Sequence, residues 1–299
     1  MRAVARKVLD FIGDTPMVKI TRLSKGEILR KAEFLNPGGS IKDRMAKYII
    51  EMAEKEGKLR PGSVIAEATS GNTGIGVTMV GVQKGYRVII IMPENMSEER
   101  KKIITALGGE LVLTPAEKSL PACLEKLDEI RRTVPDVFVP GQFTNPNNPE
   151  IQYLTTGPEI WRQVEERVDV FVAGVGSGGT PMGVGRFLHE KNPKVQIVAV
   201  EPKNNSALLG REPGLHMIQG IGDGFVTDVV DCNKIDIVMT VTDEDAIETT
   251  RQLARREGLL VGTSSGANVW CAMHFADGKR SVATVLPDRA ERYFGTALI

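Results

Sequence analysis

The chain has 299 residues, 41% of them hydrophobic and 25% charged, with Lys+Arg and Asp+Glu balanced at 38 each. This is the composition of a globular protein of about two domains. No basic excess points to nucleic acid or a membrane surface, and no apolar stretch approaches the ~20 residues needed to span a bilayer.

In chain order the first strong signal is Asn36-Pro37-Gly38-Gly39-Ser40-Ile41-Lys42-Asp43-Arg44. Two glycines end a loop, Ser40 reads as a helix N-cap, and Asp43 three residues on comes close to a capping box. Ile41, Met45, Ala46, Ile49, Ile50 and Ala53 recur at helical spacing. Lys42 thus falls in a first helical turn, where the macrodipole disfavours a cation. A partly desolvated amine there has its pKa lowered and becomes a nucleophile of the kind that forms Schiff bases. A solvated lysine on an ordinary helix start is the competing reading.

Beyond it, apolar runs alternate with amphipathic helices. Strands are predicted at 64–68, 87–92, 110–114, 137–139, 170–173, 196–200, 235–241 and 281–286. Helices are predicted at 73–84, 98–107, 121–132, 157–167 and 180–191, with another capped by Thr242-Asp243-Glu244-Asp245 and running to Arg256. Such alternation implies parallel sheets covered by helices, an α/β fold. The stretch 141–149, Gly-Gln-Phe-Thr-Asn-Pro-Asn-Asn-Pro, is the strongest break and reads as a domain joint. The glycine-rich segment 203–224 reads either as a lid or as a long surface loop.

Cys123, Cys232 and Cys271 are odd in number and far apart, which suggests free thiols in a reducing, cytoplasmic compartment. The first ten residues lack the apolar core of a signal peptide. His189, His216 and His274 are scattered, none at metal-ligand spacing, so no metal is expected.

Three loops carry chemistry. Thr69-Ser70-Gly71-Asn72-Thr73-Gly74 joins a strand to a helix and suits a small carboxylate, with no lysine at the spacing of a nucleotide-triphosphate loop. Gly174-Val175-Gly176-Ser177-Gly178-Gly179-Thr180 also follows a strand and opens a helix. It satisfies G-x-G-x-x-G, and Glu201 ends the next strand, so an NAD-dependent oxidoreductase is one reading. A compact cup for one phosphate is the other, and a phosphate-bearing aldehyde would use this loop, the Thr69 loop and Lys42 together. The third, Gly262-Thr263-Ser264-Ser265-Gly266, is by itself only a helix cap.

Taken together, these residues resemble the O-acetylserine sulfhydrylase (cysteine synthase) and cystathionine β-synthase family of fold-type II pyridoxal-phosphate enzymes. The matches include Ile12-Gly13-Asp14-Thr15-Pro16, the Lys42 run, Glu67 to Gly76, Gly141 to Pro146, the Gly176 loop, Val200-Glu201-Pro202, Ile218 to Phe225, Ser264-Ser265-Gly266 and Leu286-Pro287-Asp288. The resemblance implies two parallel-sheet α/β domains with the cofactor in the cleft between them. The smaller, mobile domain would span 35–141 and the larger 1–34 and 142–299.

It also implies roles. Lys42 would carry pyridoxal 5'-phosphate and then remove the α-proton of the substrate. Asn72 would bind the ring oxygen, Ser264 the pyridine nitrogen, and Gly176, Ser177, Gly178, Gly179 and Thr180 the phosphate. Thr69, Ser70, Gly71, Thr73, Gln142 and Gly222 would bind substrate. The implied reaction is β-replacement on an O-activated L-serine, foremost O-acetyl-L-serine, with sulfide giving L-cysteine through an aminoacrylate. A homodimer and a serine acetyltransferase partner are implied as well. The length leaves no room for a regulatory C-terminal module, nor does the start hold a haem-binding extension, which favours the short cysteine synthase type.

One position departs from the pattern. Gly220-Ile221-Gly222-Asp223-Gly224-Phe225 has Asp223 where typical cysteine synthases have alanine. Either Asp223 points to solvent, or it enters the pocket as a base that activates water or a thiol. The second case would favour L-serine or L-cysteine as donor, with cystathionine β-synthase-like, cysteine lyase-like or sulfide-releasing chemistry.

Overall fold

A computed structural model describes residues 7–20, 22–24, 26–69 and 71–298, the side chains of 118–120 excepted. Ten strands and nine helices are found among them. In chain order they are β1 (Met17–Ile20), β2 (Ile28–Lys31), α1 (Lys42–Lys55), β3 (Val64–Ala68), α2 (Asn72–Gln83), β4 (Arg87–Pro93), α3 (Glu98–Ala106), β5 (Glu110–Thr114), α4 (Ser119–Thr133) and β6 (Val137–Phe138). Then come α5 (Asn147–Ile151), α6 (Gly157–Gln163), β7 (Val170–Gly174), α7 (Gly179–Lys191), β8 (Gln196–Pro202), β9 (Ile237–Val241), α8 (Asp243–Glu257), α9 (Thr263–Met273) and β10 (Val282–Val285).

The strands form two sheets. One has four strands in the order β5-β4-β3-β6, all parallel, and the other six in the order β1-β2-β10-β7-β8-β9. In the larger sheet only the β1–β2 pair is antiparallel. Successive side chains of a strand point to opposite faces, so a parallel strand covered on both sides must be apolar throughout. In β3, Ile65 packs with Ala46 and Ile50 of α1 and Ile75 of α2, while Val64 and Ala66 pack with Cys123 and Leu127 of α4. In β7, Val170 and Val172 meet Ala267 and Cys271 of α9, whereas Phe171 and Ala173 meet Val184 and Leu188 of α7.

Two places differ from the sequence reading. The β1–β2 hairpin was not anticipated, because Arg30 and Lys31 interrupt its apolar pattern, yet both are fully buried. Lys31 pairs with Glu159 at 2.7 Å. The region 147–156, read as part of a polar joint, is helical. There α5, a π-helical segment Gln152–Thr156 and α6 follow one another without a break. The helix predicted at 157–167 stops at Gln163.

Candidate active site

Strands β3 and β7 both end at loops that open helices, and in open α/β sheets the carboxyl ends of strands are where ligands bind. The Thr69 loop follows β3 and the Gly176 loop follows β7. They face one cleft, together with the start of α1.

Helix α1 begins at Lys42. The expected capping box is not formed as read. Ser40 Oγ does accept the Lys42 N–H at 3.2 Å, but Asp43 turns back to accept the Gly38 N–H at 2.6 Å. Arg44, two residues on, anchors the helix start. Its guanidinium donates to Glu33 at 2.7 and 2.8 Å and to both oxygens of Glu159 at 2.7 Å. Helix α2 lies close beside it, since a Cβ on Gly76 would stand only 3.1 Å from the Lys42 carbonyl oxygen. A larger residue there would push Lys42 away from the Thr69 loop.

The Lys42 amine reaches Ser177 Oγ at 3.4 Å. Burial pushes its pKa below the usual lysine range, against the opposing charges of Asp223 and Asp288. The cause is desolvation, as expected for an amine in a cleft.

Opposite Lys42, α7 starts at Gly179 with Gly178 as its left-handed N-cap at φ +84°. A Cβ on Gly178 would run into Val230 Cγ2, so the loop backbone is pressed against its neighbours and its other side, free of side chains, faces the cleft. The first N–H groups of α7 have no intrahelical partner and carry the positive end of its dipole. Ser177 Oγ also accepts from Asn148 Nδ2 at 2.9 Å, and the Ser177 carbonyl accepts from Thr227 Oγ1. With the Thr180 side of the loop this makes a neutral, donor-rich cup for one phosphate.

On the third wall, Thr73 Oγ1 donates to Gln142 Oε1 at 2.6 Å, and Thr69 and Gly71 line the cleft beside them. Ser70 lies outside the described residues. Asn72 is fixed by Asp288 Oδ2, which accepts its Nδ2 at 2.7 Å, and by Arg292, which donates to its Oδ1 at 2.6 Å. An amide nitrogen has two protons, so one remains for a ligand. Ser264, near the N-terminus of α9, is buried and lines the cleft floor.

Asp223 lines the cleft as well. The residue keeps a solvent-exposed side, yet desolvation where its carboxyl enters the cleft pushes that carboxyl above the usual range, although Lys42 and His216 pull the other way. Gly222, expected at the substrate, does not line the cleft. Its N–H donates to Val175 and its carbonyl accepts from Asn205 Nδ2 at 2.8 Å, so its backbone is used to hold the loop that presents Asp223. Glu201, the acid of the dinucleotide reading, is turned away. Both its oxygens accept the Leu208 N–H at 3.2 Å.

Sequence reasoning missed Asn148 and the roles of Asp288 and Arg292. Only the Leu286-Pro287-Asp288 match hinted at the second. The donor set suits pyridoxal phosphate: a buried amine for an aldehyde, a helix-terminal cup for a phosphate, an amide proton and an uncharged hydroxyl for the ring. Glu201, the ribose acid of the dinucleotide reading, does not line the cleft.

Comparison with known proteins agrees. Residues 8–288 match the family model described as pyridoxal-phosphate dependent enzyme. A cysteine synthase of Staphylococcus aureus is 44% identical over 298 residues, covering 97% of this chain and 96% of the relative. Among solved structures, the cysteine synthase of Entamoeba histolytica superimposes with a TM-score of 0.95 at 37% identity, covering 99% of this chain and 91% of the other. A hydrogen sulfide-producing enzyme of Fusobacterium nucleatum does so with 0.94 at 41% identity, covering 97% and 100%.

Proposed function

Because this chain belongs to the pyridoxal-phosphate-dependent enzyme family, and within it to the cysteine synthase type, we propose that it performs β-replacement on an O-activated L-serine. O-acetyl-L-serine is the favoured donor, sulfide the nucleophile and L-cysteine the product. The observation that carries this reading is a buried amine of lowered basicity, Lys42, sharing one cleft with a helix-terminal anion cup and a separate hydroxyl–amide cluster.

When bound, pyridoxal phosphate supplies the electron sink that acidifies an amino acid's Cα–H and lets a β-substituent leave. The chain supplies the rest. The Gly176 to Thr180 loop would hold the phosphate, Asn72 the ring oxygen and Ser264 the pyridine nitrogen. The Thr69 to Thr73 loop and Gln142 would bind the substrate carboxylate through hydroxyl and amide donors, fixing which face of the amino acid meets Lys42. Lys42 Nζ, its basicity lowered by desolvation, takes the α-proton as general base, a role worth roughly 10²–10⁴-fold. Ser264 offers a hydroxyl in place of a carboxylate, so nothing there holds a proton on the ring. That favours prompt loss of the β-substituent over transamination.

Asp223 favours a second reading. A carboxyl of raised basicity in the cleft can take a proton from water or a thiol as either adds at Cβ. L-serine or L-cysteine would then serve as donor, with sulfide released from cysteine. Assays of O-acetylserine, O-phosphoserine, serine and cysteine, each with sulfide and with a thiol, separate the readings. No cysteine from any activated serine plus sulfide would sink the first. For the second, Asp223→Ala should slow addition of water or thiol by roughly 10²–10⁴-fold while sparing addition of sulfide. Unchanged rates in both reactions would end it.

The reading extends to a cytoplasmic homodimer whose 35–141 domain closes on the substrate, able to bind a serine acetyltransferase. Cys232 and Cys271 are free thiols, which supports a reducing compartment.

A further inference from the structure

Arg100 stands on α3, beside the four-stranded sheet, and is only 2% exposed. Its Nη1 donates to Oε1 of Gln219, in the loop that runs on to Asp223. Its guanidinium lies over the Tyr293 ring at 4.9 Å. Tyr293 in turn donates to Asp288, the residue that fixes Asn72. Its Nε has no hydrogen-bond partner among the described residues, although it is buried. That nitrogen lies beneath the Thr69 loop, where a Cβ built on Gly71 would be 4.0 Å away. A buried guanidinium therefore touches the Asp223 loop with one edge and underlies the carboxylate loop with another.

We propose that Arg100 is a positioning residue that couples the two loops, so that an amino acid carboxylate on the Thr69 loop draws the Gln219–Asp223 loop into place. The proposal rests on the reading of the Thr69 loop as the carboxylate site. An anion above Gly71 gives the unpartnered edge of Arg100 an attractive charge, and the fork geometry transmits that pull rigidly to Gln219. A flexible lysine would not.

Hydrogen–deuterium exchange on the cofactor-loaded protein tests this, with L-alanine as probe because it has the carboxylate but no β-leaving group. In the wild type, saturating L-alanine slows exchange at both 69–73 and 218–225. In Gln219→Leu, a change at a partly exposed position, it slows exchange at 69–73 alone. The half-saturating concentration there rises roughly five-fold or more, the lower end of coupling between sites. Gln219→Glu keeps an acceptor for Arg100 and restores the joint response. The proposal is overturned if the wild type protects only 69–73, or if Gln219→Leu protects both segments like the wild type. Protection of neither segment in the wild type overturns the carboxylate reading, and this proposal with it.

Discussion

Replacing Glu67 with glutamine isolates the cost of a buried carboxylate that supports the Thr73–Gln142 wall of the cleft. Glu67 sits in β3, 3% exposed, and accepts the Gly141 N–H at 2.9 Å. It thereby fixes the backbone next to Gln142, the partner of Thr73. Burial lifts its carboxyl from 4.5 to about 7, against the pull of the Gly141 and Gln142 N–H groups. Between those two values the folded chain binds more protons than the unfolded one. Stability therefore falls as pH rises through that window, and the full cost is present above pH 7. At roughly 1.4 kcal/mol per pH unit the full interval amounts to about 3.5 kcal/mol, of which about 3 is lost between pH 4.5 and pH 8. Glu67→Gln removes the titration and keeps one acceptor. The stability of the variant minus that of the wild type, from urea unfolding at several pH values, should rise by about 3 kcal/mol from pH 4.5 to pH 8. Taking the difference cancels the other carboxylates. A difference that does not change with pH would refute the assignment of a protonated Glu67 to the folded state.

Gly178→Ala must adopt a left-handed backbone and meets Val230. Together these cost about 2–5 kcal/mol and distort the cup, so cofactor titration followed by absorbance should show weaker binding along with a lower Tm. Full cofactor affinity in that variant would argue against the cup as the phosphate site. Arg44→Met leaves Glu33 and Glu159 buried without their shared cation, and should destabilise by about 3–5 kcal/mol in denaturant unfolding. A loss under about 1 kcal/mol would mean that the pairs at the start of α1 are not what holds it.

The α/β rhythm was legible wherever strands are apolar on both faces and joints carry glycine, as in β3, β4, β7 and β8. The β1–β2 hairpin was not. Lys31 reads as a surface residue until Glu159, far along the chain, is seen beside it. The continuous helix through 147–163 was obscured by its run of Asn and Pro, residues that usually mark turns. At the site, Lys42 and the loops at Thr69, Gly176 and Ser264 announce themselves through local patterns of glycine and hydroxyl residues. Asn148, Arg100 and Arg292 act through side-chain contacts between distant segments, and no local pattern marks them. Gly222 was expected at the substrate from the family resemblance alone. In the fold its N–H and carbonyl are bonded to Val175 and Asn205.

The claim at the centre is that Lys42 holds an aldehyde cofactor and then acts as the base. Borohydride reduction of the purified, cofactor-loaded protein, followed by peptide mass mapping, tests it most directly. The account predicts that the yellow colour is lost and the reduced cofactor's mass is found on Lys42, while Lys42→Ala takes up no label and forms no cysteine. A label on another lysine, or undiminished β-replacement by Lys42→Ala, would contradict it.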